Sequence, residues 1–340
     1  MLIDNIGHLV HHNIDFNIDQ QCLENKAFSD HHRYFKIAGI TILVKSDLVI
    51  TQNTFHDKFA SFFADGPGDD TVIICHHFGI PDIKNEYYGI ELYRNSPWAI
   101  FRFDDSFIYL GISPETDDLS LHLLALFSSD HSRLSIYNDL FRQQMWYEGS
   151  LTSLTMFPTD QILIARLLAD RQACYLHSAA AIINGSGVLF VGHSETGKST
   201  TTNFLIDADK KNDIQVEILC DDRNIVRHLE DGWHVFGTWS HGDVPLVSSA
   251  GAPVKAILFI EQANENVISH ISDRKEIINR LLSCVIRSFI TNDWWIKTLD
   301  IIQLIAQQVP CYVMRFDKSG AIVTEIKQII AAEPPSTMSS

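Results

Sequence analysis

The first 115 residues of the chain alternate between short apolar runs rich in β-branched residues and polar turn sequences. The run 33–51 is interrupted at Lys45-Ser46-Asp47, a pattern that predicts two strands around a turn. Tyr87–Tyr93, Trp98–Phe103 and Phe107–Ile112 repeat the pattern and are separated by turn sequences. We therefore expect a β-rich, largely antiparallel module at the start of the chain.

Three segments further along have the apolar spacing of helices. They are Leu119–Phe127, Ile136–Tyr147 and Thr159–Arg171, and the last opens with Thr-Asp before its first apolar residue. We interpret the last of them as a bridge into a second domain. The sequence thus predicts a β-rich accessory or substrate-recognition domain over 1–160, a second domain over 161–332, and a disordered tail over 333–340.

The second half opens with two apolar strands around a tight turn. Tyr175–Ile183 and Val188–Val191 flank Asn184-Gly185, and Asn-Gly between apolar runs is a strong hairpin signal. We predict a helix over Thr200–Ile206, then strands, two amphipathic helices, a last strand and a final helix. The predicted strands are Val216–Leu219, Asn224–Arg227, Trp233–Phe236, Ala256–Ile260 and Cys311–Phe316, and the amphipathic helices are Asp273–Ile290 and Asn292–Val309.

Composition and charge narrow the possible functions. The 340 residues are 46% hydrophobic and 20% charged, which are values typical of a globular protein. The formal net charge is −16, of which residues 1–160 carry −12. Nucleic-acid binding needs clustered basic residues, and the chain has no basic run, so we expect no nucleic-acid partner.

The cysteines and the apolar stretches indicate the cellular location of the protein. The six cysteines lie far apart, form no C-x-x-C pair and are interpreted as buried, reduced thiols. The N-terminal residues lack the features of a secretory signal, and no apolar stretch approaches the roughly 20 residues of a membrane span. These patterns predict a soluble, cytoplasmic protein with no membrane partner and no structural metal.

One motif predicts nucleotide binding. Residues 192–199 read Gly-His-Ser-Glu-Thr-Gly-Lys-Ser and fit G-x-x-x-x-G-K-[ST], between an apolar strand and a helix. In such a loop the backbone N–H groups surround phosphate oxygens, the lysine reaches the β- and γ-phosphates, and the serine hydroxyl ligates Mg²⁺. We expect ATP and Mg²⁺ as the cofactors. The candidate nucleotide-binding residues are Gly192, Ser194, Glu195, Thr196, Gly197, Lys198, Ser199 and Thr200.

A pair of carboxylates is the second candidate feature. Asp221 and Asp222 end the apolar run that begins at Val216, 23 residues beyond Lys198. One of them could hold Mg²⁺ while the other accepts a proton from an attacking hydroxyl. We place Asp222 with Ser199 at the metal and name Asp221, Asp222 and Lys198 as catalytic candidates. The residues alone do not decide which aspartate is the base.

Together these segments resemble a known family. Leu176-His177-Ser178, the hairpin into Gly192–Ser199, and Leu219–Arg223 are similar to the C-terminal domain of HPr kinase/phosphorylase. They also resemble the wider P-loop class that groups this enzyme with phosphoenolpyruvate carboxykinases. The resemblance implies an α/β (α+β) P-loop domain with a largely β core. It also implies that the aspartate pair supplies metal binding and the general base, and that His177 stands beside the nucleotide as a further catalytic candidate.

The chain departs from the bifunctional HPr enzyme at two places. Thr200 stands where that enzyme is expected to have Glu, and Gly237–Gly242 replaces its acidic, glycine-rich signature. The arrangement looks like the HPr-kinase-related proteins found beside peptide-modification systems. Lys255 and Arg287 are further candidates for phosphate contacts, each with an ordinary surface role as the alternative.

The expected function is an ATP-dependent kinase that phosphorylates a serine or threonine hydroxyl in a peptide or small protein. Two alternatives stay open, namely a kinase for free serine or another metabolite on the same scaffold, and a non-catalytic ATP-binding regulator. The charge of −12 on residues 1–160 favours a neutral or basic partner. HPr enzymes assemble into hexamers, so the resemblance also implies a homo-oligomer.

Overall fold

The chain divides into two compact units, residues 1–160 and residues 161–340. The structure, a computed structural model, describes residues 29–83, 88–112, 121–157, 160–287 and 291–332. It is a mixed α/β structure with two large sheets, one in each unit. The predicted tail, 333–340, lies outside the described residues.

The first unit is built on a nine-stranded sheet with strand order β3-β1-β2-β4-β9-β8-β7-β6-β5. Strand β4 pairs in parallel with both β2 and β9, and the other pairings are antiparallel. The strands are β1 (His32–Ile37), β2 (Ile40–Ser46), β3 (Phe63–Ala64), β4 (Thr71–Phe78), β5 (Ile90–Asn95), β6 (Trp98–Phe103), β7 (Ser106–Ile112), β8 (Leu121–Phe127) and β9 (Arg133–Asn138).

The first hairpin turns at a different place from the predicted one. Ala38 and Gly39 both have positive φ, 49° and 82°, and join β1 to β2. Two consecutive residues of this conformation give the turn whose twist matches paired strands. Lys45, part of the predicted turn, lies instead within β2.

Of the segments with helical spacing, 119–127 contains a strand where a helix was predicted, and 136–147 begins in a strand, so the helix prediction was wrong for the first and for the start of the second. Residues 123–127 of β8 form a continuous buried apolar run between β7 and β9. A short, continuous apolar run is found both in central strands and in buried helices, because all its side chains are buried and no polar positions mark a period. The predicted helix over 136–147 is divided between the end of β9 and the helix α1 (Leu140–Glu148). The side chain of Asp139 caps the start of α1 by accepting a hydrogen bond from the Arg142 N–H.

The second unit carries an eight-stranded sheet and five helices among its described residues. Its helices are α2 (Gln161–Ala169), α3 (Lys198–Lys210), α4 (Arg274–Cys284), α5 (Asn292–Gln308) and α6 (Ile322–Ala331). Its strands are β10 (Ala173–Ile183), β11 (Ser186–Val191), β12 (Val216–Cys220), β13 (Arg223–Leu229), β14 (Gly232–Phe236), β15 (Gly251–Gln262), β16 (Val267–His270) and β17 (Cys311–Phe316).

The second sheet contains three neighbouring parallel strands. Strand β15 pairs in parallel with β11 on one side and with β17 on the other. The carboxyl ends of β11, β15 and β17 therefore lie at one edge of the sheet. In open α/β sheets, ligands bind outside the carboxyl ends of such strands.

Strand β10 pairs with three other strands of this sheet, β11, β12 and β13. It pairs with β11 across the Asn184-Gly185 turn, where both residues have positive φ, so the predicted hairpin is confirmed. Its first half pairs with β13 and its second half with β12. This places the middle of β10, at His177 and Ser178, and the end of β12 beside the loop that follows β11.

Apolar clusters lie on both faces of the second sheet. Leu189, Val191 and Phe259 belong to a cluster with α4 and α5, and Phe190, Leu258 and Met314 to one with α3 and α6. Helix α2 is buried almost throughout and is held to α5 by a 2.9 Å hydrogen bond from Trp294 Nε1 to the Ala165 carbonyl.

Helix α4 ends at Cys284, earlier than the predicted end at residue 290. Val285 pairs with Leu176 of β10, and the Ile286 N–H donates to the Tyr175 carbonyl. These extended contacts replace the helical hydrogen bonds, so tertiary pairing overrides the amphipathic pattern of the sequence.

Four of the cysteines agree with the sequence prediction and one does not. Cys174, Cys220, Cys284 and Cys311 are free and buried, but Cys75 is disulfide-bonded, so the expectation of reduced thiols is wrong there. Cys22 lies outside the described residues. Among the helices that the structure describes, none has the length and apolar character needed to cross a membrane.

Candidate functional site

The loop between β11 and α3 makes a tight turn into the N-terminus of the helix. Glu195 and Gly197 both have positive φ, 67° and 108°, and Gly197 is the residue before the first turn of α3. The Thr196 hydroxyl donates to the His193 carbonyl over 2.8 Å and fixes the turn. The loop thus leads from a buried strand to a helix N-terminus, where backbone N–H groups and the helix dipole favour an anion.

Both motif glycines are required by close packing. A Cβ on Gly192 would lie 2.5 Å from Thr196 Oγ1 and 2.8 Å from a side-chain carbon of Ile260. A Cβ on Gly197 would lie 2.5 Å from the Phe316 ring, and its φ of 108° disfavours any L side chain. Steric contacts therefore explain why glycine stands at both of these positions of the motif.

Lys198, the motif lysine, is buried in the loop. Its ammonium group donates to the Gly192 carbonyl over 3.2 Å and to the His193 carbonyl over 2.9 Å. Burial lowers the pKa of Lys198 from its ordinary value, while the negative charges of Asp222 and Asp221 act to raise it. The charged lysine is thus held close to two carboxylates and partly stripped of water, a setting in which a phosphate would be a strong partner.

Asp221 is fixed by backbone donors. Its side chain is 1% exposed, and it accepts hydrogen bonds from the Gly242 N–H (2.6 Å) and the Val244 N–H (2.9 Å). The Ser199 hydroxyl also donates to its Oδ2 over 3.1 Å. Asp221 therefore links the end of β12, the first turn of α3 and the loop after β14.

Asp243 is a third carboxylate at this place, and the sequence analysis did not identify it. Its Oδ2 lies 3.4 Å from Ser199 Oγ, so the hydroxyl has a carboxylate on two sides. The residue follows directly after the segment Gly237–Gly242. The only signal in the sequence was an aspartate beside that loop, because the contact depends on how the loop folds back onto Asp221.

Asp222 faces a different partner from its neighbour. Its Oδ1 lies 2.9 Å from His177 Nε2 and its Oδ2 lies 3.4 Å from an Arg223 guanidinium nitrogen. Burial acts to raise the pKa of Asp222, but the His177 hydrogen bond and the charges of Arg223 and Lys198 outweigh it, so the pKa lies below its ordinary value. The carboxylate is ionised near neutral pH and can only accept, so His177 donates through Nε2.

The structure thus distributes the two aspartates differently from the sequence-based placement of Asp222 with Ser199. Asp221 and Asp243 are within hydrogen-bond distance of the Ser199 hydroxyl, while Asp222 pairs with His177. Adjacent residues at a strand end point to opposite sides, which is why a pair in the sequence becomes two separate groups.

A buried amide supports this arrangement from behind. Asn224 is fully buried, and its Nδ2 donates to the Ser178 carbonyl over 2.6 Å and to the Cys220 carbonyl over 3.1 Å. The Ser178 N–H in turn donates to the Asp222 carbonyl over 3.0 Å. The backbone that carries the aspartates is therefore bound to β10, the strand that carries His177.

These groups surround one open cleft of about 370 Å³, called the phosphate cleft below. Of the predicted site residues, it is lined by His177, Ser194, Glu195, Gly197, Lys198, Ser199, Thr200, Asp221 and Asp222. Gly192 and Thr196 shape the loop instead. Gly242, Asp243 and Gln262 also line the cleft and were not predicted as site residues.

The two further candidates have other contacts. Lys255 donates to the Ala332 carbonyl near the end of α6, and the Arg287 guanidinium lies 5.6 Å from the centre of the Trp295 ring. Neither residue lines the phosphate cleft. Their ordinary structural roles account for the contacts described.

The donor set at Ser199 fits a magnesium ion. One hydroxyl and two carboxylates present hard oxygen ligands, and Mg²⁺ is commonly held by one or two carboxylates together with phosphate oxygens and water. Within the described ranges, no three His, Cys, Asp or Glu side chains form a metal cluster by themselves. A metal held jointly with a bound phosphate agrees with both observations.

The second unit is therefore a mixed α/β domain with a G-x-x-x-x-G-K-S loop, a helix N-terminus and a cluster of carboxylates around one cleft. The family model described as SynChlorMet cassette protein ScmC matches residues 150–331. That match covers more than half of the chain, and the chain belongs to the ScmC family. No curated protein matches the sequence.

Proposed function

We propose that the chain is an ATP-dependent phosphotransferase of the HPr kinase type, acting on a serine or threonine hydroxyl of a peptide or small protein. In this proposal the second unit is a P-loop domain related to HPr kinase and phosphoenolpyruvate carboxykinases. The first unit, with its β-rich sheet, contributes to recognition of the acceptor.

One observation carries the proposal. The motif lysine, the motif serine and an ionised carboxylate with a histidine partner all line a single cleft of about 370 Å³. Kinases need a group that binds the phosphates, a group that organises the metal, and a group that accepts the hydroxyl proton. A protein that only binds nucleotide has no need of the third group, so the Asp222–His177 pair favours an enzyme over a regulator.

The phosphates of ATP would lie over the N-terminus of α3. The backbone N–H groups of the loop and the Lys198 ammonium are the donors available there. Lys198 already donates to two carbonyls of the loop, so phosphate oxygens would replace neutral acceptors by charged ones. An ammonium–phosphate contact adds the attraction of two opposite charges to the hydrogen bond.

Ser199, Asp221 and Asp243 are the residues that would hold Mg²⁺. The ion supplies charge neutralisation for the β- and γ-phosphates when it is bound. The backbone N–H groups of Gly242 and Val244 hold Asp221 in a single orientation for this purpose. Asp243 lies on an exposed part of the loop and is the more adaptable of the two carboxylates.

Asp222 is the proposed general base. Its Oδ1 accepts from His177, and its carboxylate borders the cleft, where an acceptor hydroxyl could approach. His177 orients the carboxylate, and the pair shares the proton taken from the hydroxyl as the phosphoryl group is transferred. Because its pKa is lowered, Asp222 is available in the ionised form across the neutral range.

The acceptor class follows from the family resemblance and from charge. The likeness to HPr kinase suggests a seryl or threonyl hydroxyl, and the strongly acidic first unit favours a neutral or basic partner. A kinase for free serine would use the same cleft, and its acceptor would need no contact with the first unit.

Transfer of labelled phosphate tests the proposal. The intact chain is incubated with γ-labelled ATP and Mg²⁺, together with serine- and threonine-containing basic peptides or with free serine, in separate reactions. We expect label on peptide hydroxyls and none on any acceptor with Lys198→Ala. Label on free serine alone would identify the metabolite kinase instead, and nucleotide binding without transfer to any acceptor would favour the regulator.

A further inference from the structure

Helix α1 of the first unit has an apolar outer face, called the α1 surface below. Leu140 and Phe141 are 80% and 69% exposed, and Met145 and Tyr147 are exposed as well. With 3.6 residues per turn, these four side chains lie within an arc of about 160° on one side of the helix. Among the described residues twelve large apolar side chains are exposed, and four of them lie on this nine-residue helix. Surface helices normally expose polar residues, so this concentration indicates a binding surface.

The opposite side of α1 holds the helix to the unit. Trp146 is buried, and its indole N–H donates to the Val49 carbonyl over 3.1 Å. The Trp146 ring packs edge-on against Phe55 and Phe78, with ring centres 5.9 Å and 5.3 Å apart. The helix is therefore secured through its inner side, and its four outward apolar side chains are accessible to another molecule.

The charge around the α1 surface is negative. Glu148 is exposed, and its carboxylate accepts a 3.0 Å hydrogen bond from the neutral side-chain amide of Gln144. Arg142, the one cationic residue in the helix, has a guanidinium nitrogen 3.6 Å from an Asp139 carboxylate oxygen, so its charge is matched within the unit. Residues 1–160 together carry −12. An apolar surface thus lies in an acidic surrounding field.

This charge distinguishes between possible occupants of the α1 surface. A second copy of the chain would bring another unit of −12 to the contact, and anionic lipids and nucleic acids would be repelled in the same way. A basic polypeptide would be attracted. The convex side of a single helix offers ridges and grooves, which pack best against a second helix. Shape and charge therefore favour a basic amphipathic helix.

We propose that the α1 surface binds an amphipathic helical segment of the acceptor polypeptide, with apolar residues on one face and lysine or arginine beside them. That the partner is the phosphate acceptor rests on the proposed function. Leu140 and Phe141, the most exposed of the four side chains, supply most of the apolar contact. Buried aromatic and aliphatic side chains provide affinity in such contacts, and the surrounding charges accelerate and orient the encounter.

Direct binding of a synthetic peptide, measured calorimetrically without nucleotide, tests the inference. The probe has about 18 residues, namely leucine, lysine and one serine, with the leucines at helical spacing. A permuted peptide of the same composition lacks that spacing. Leu140→Ser/Phe141→Ser alters the α1 surface, and Ile296→Ser/Leu304→Ser, at two exposed apolar positions on α5, is the matched control.

We expect the patterned peptide to bind wild type and the α5 control with equal affinity. Its affinity for Leu140→Ser/Phe141→Ser should fall at least about tenfold, as should the affinity of the permuted peptide for wild type. Equal affinity of the patterned peptide for all three chains, or no binding by wild type, would overturn the inference. Wild-type dimers that Leu140→Ser/Phe141→Ser abolishes would also overturn it, because a second copy would then cover the surface.

Labelling of the bound peptide from γ-labelled ATP separates this inference from the proposed function. A peptide that binds at the α1 surface but is not labelled would contradict the kinase and leave the docking surface in place. Labelling with the same KM in wild type and Leu140→Ser/Phe141→Ser would leave the kinase in place and overturn the docking surface.

Discussion

The Ser199 hydroxyl donates a hydrogen bond to Asp221 Oδ2 over 3.1 Å and so joins the first turn of α3 to the end of β12. Asp222, the next residue, is paired with His177 on the other side. We therefore assign different roles to the two aspartates. Asp221 belongs to the metal side of the cleft, and Asp222 belongs to the acceptor side.

Replacement of Asp221 is expected to alter the metal requirement. Asp221→Asn keeps the shape of the side chain but removes the charge that lies beside Ser199. We expect the Mg²⁺ concentration for half-maximal phosphoryl transfer to rise about tenfold. Asp207→Asn, an exposed aspartate on α3, is the control and should leave it unchanged. A normal Mg²⁺ dependence in Asp221→Asn would remove this residue from the metal side.

The dependence of the free energy of unfolding on pH in the acid range tests the Asp222–His177 pair. The pKa of Asp222 is lowered in the folded chain, so its ionised form stabilises the fold. That stabilisation is complete above the ordinary value of 3.8 and is lost as the pH falls through the lowered folded value. We expect wild type to be more stable than Asp222→Asn at pH 7.

Urea denaturation at a series of pH values measures this difference in the free energy of unfolding. The difference should shrink as the pH falls below about 3.8 and through the lowered folded pKa of Asp222. Asp207→Asn again serves as the control, because its carboxylate is exposed. A difference that stays constant or grows over that range would show that Asp222 is not held in its ionised form by its neighbours.

Gly197 is expected to tolerate no side chain. In Gly197→Ala the new Cβ would meet the Phe316 ring at 2.5 Å, and the residue would keep a φ of 108°. The backbone conformation alone costs about 1–2 kcal/mol for an L residue, and the clash adds to that. We expect a lower melting temperature and weakened ATP binding. Gly66→Ala, where a Cβ meets nothing within 4 Å, should change neither.

Asn224 is expected to affect the reaction only by holding the strands that carry His177 and the aspartates in position. Asn224→Ala leaves the Ser178 and Cys220 carbonyls without this donor, at a cost of about 1–3 kcal/mol in the free energy of unfolding. Because these carbonyls belong to the strands that carry His177 and the aspartates, kcat should fall while the Kd for ATP changes little. Asn203→Ala, at an exposed position on α3, is the control. Loss of stability with an unchanged kcat would limit Asn224 to a structural role.

The sequence alone was enough to predict a strand, a tight loop at Gly192–Gly197 and a helix after it. Gly192–Ser199 has a fixed spacing because two glycines and a lysine must meet in one tight turn, and such local requirements can be read from adjacent residues. The Asn184-Gly185 hairpin is local in the same way. Both features lie where the patterns placed them.

Features that depend on distant contacts could not be predicted in this way. Asp243 reaches Ser199 only because the backbone N–H groups of Gly242 and Val244 bind Asp221, which is more than 20 residues earlier in the chain. The strand β8 and the early end of α4 follow from pairing with other strands. No local periodicity carries that information.

The most direct test of the central claim is a single-turnover measurement of phosphoryl transfer from γ-labelled ATP to a hydroxyl-bearing peptide. Wild type, Asp222→Asn and Asp207→Asn are compared at saturating MgATP. Our account predicts transfer by wild type and Asp207→Asn, and a loss of about 10²–10⁴-fold in Asp222→Asn with ATP still bound. Transfer at the wild-type rate by Asp222→Asn would contradict the account.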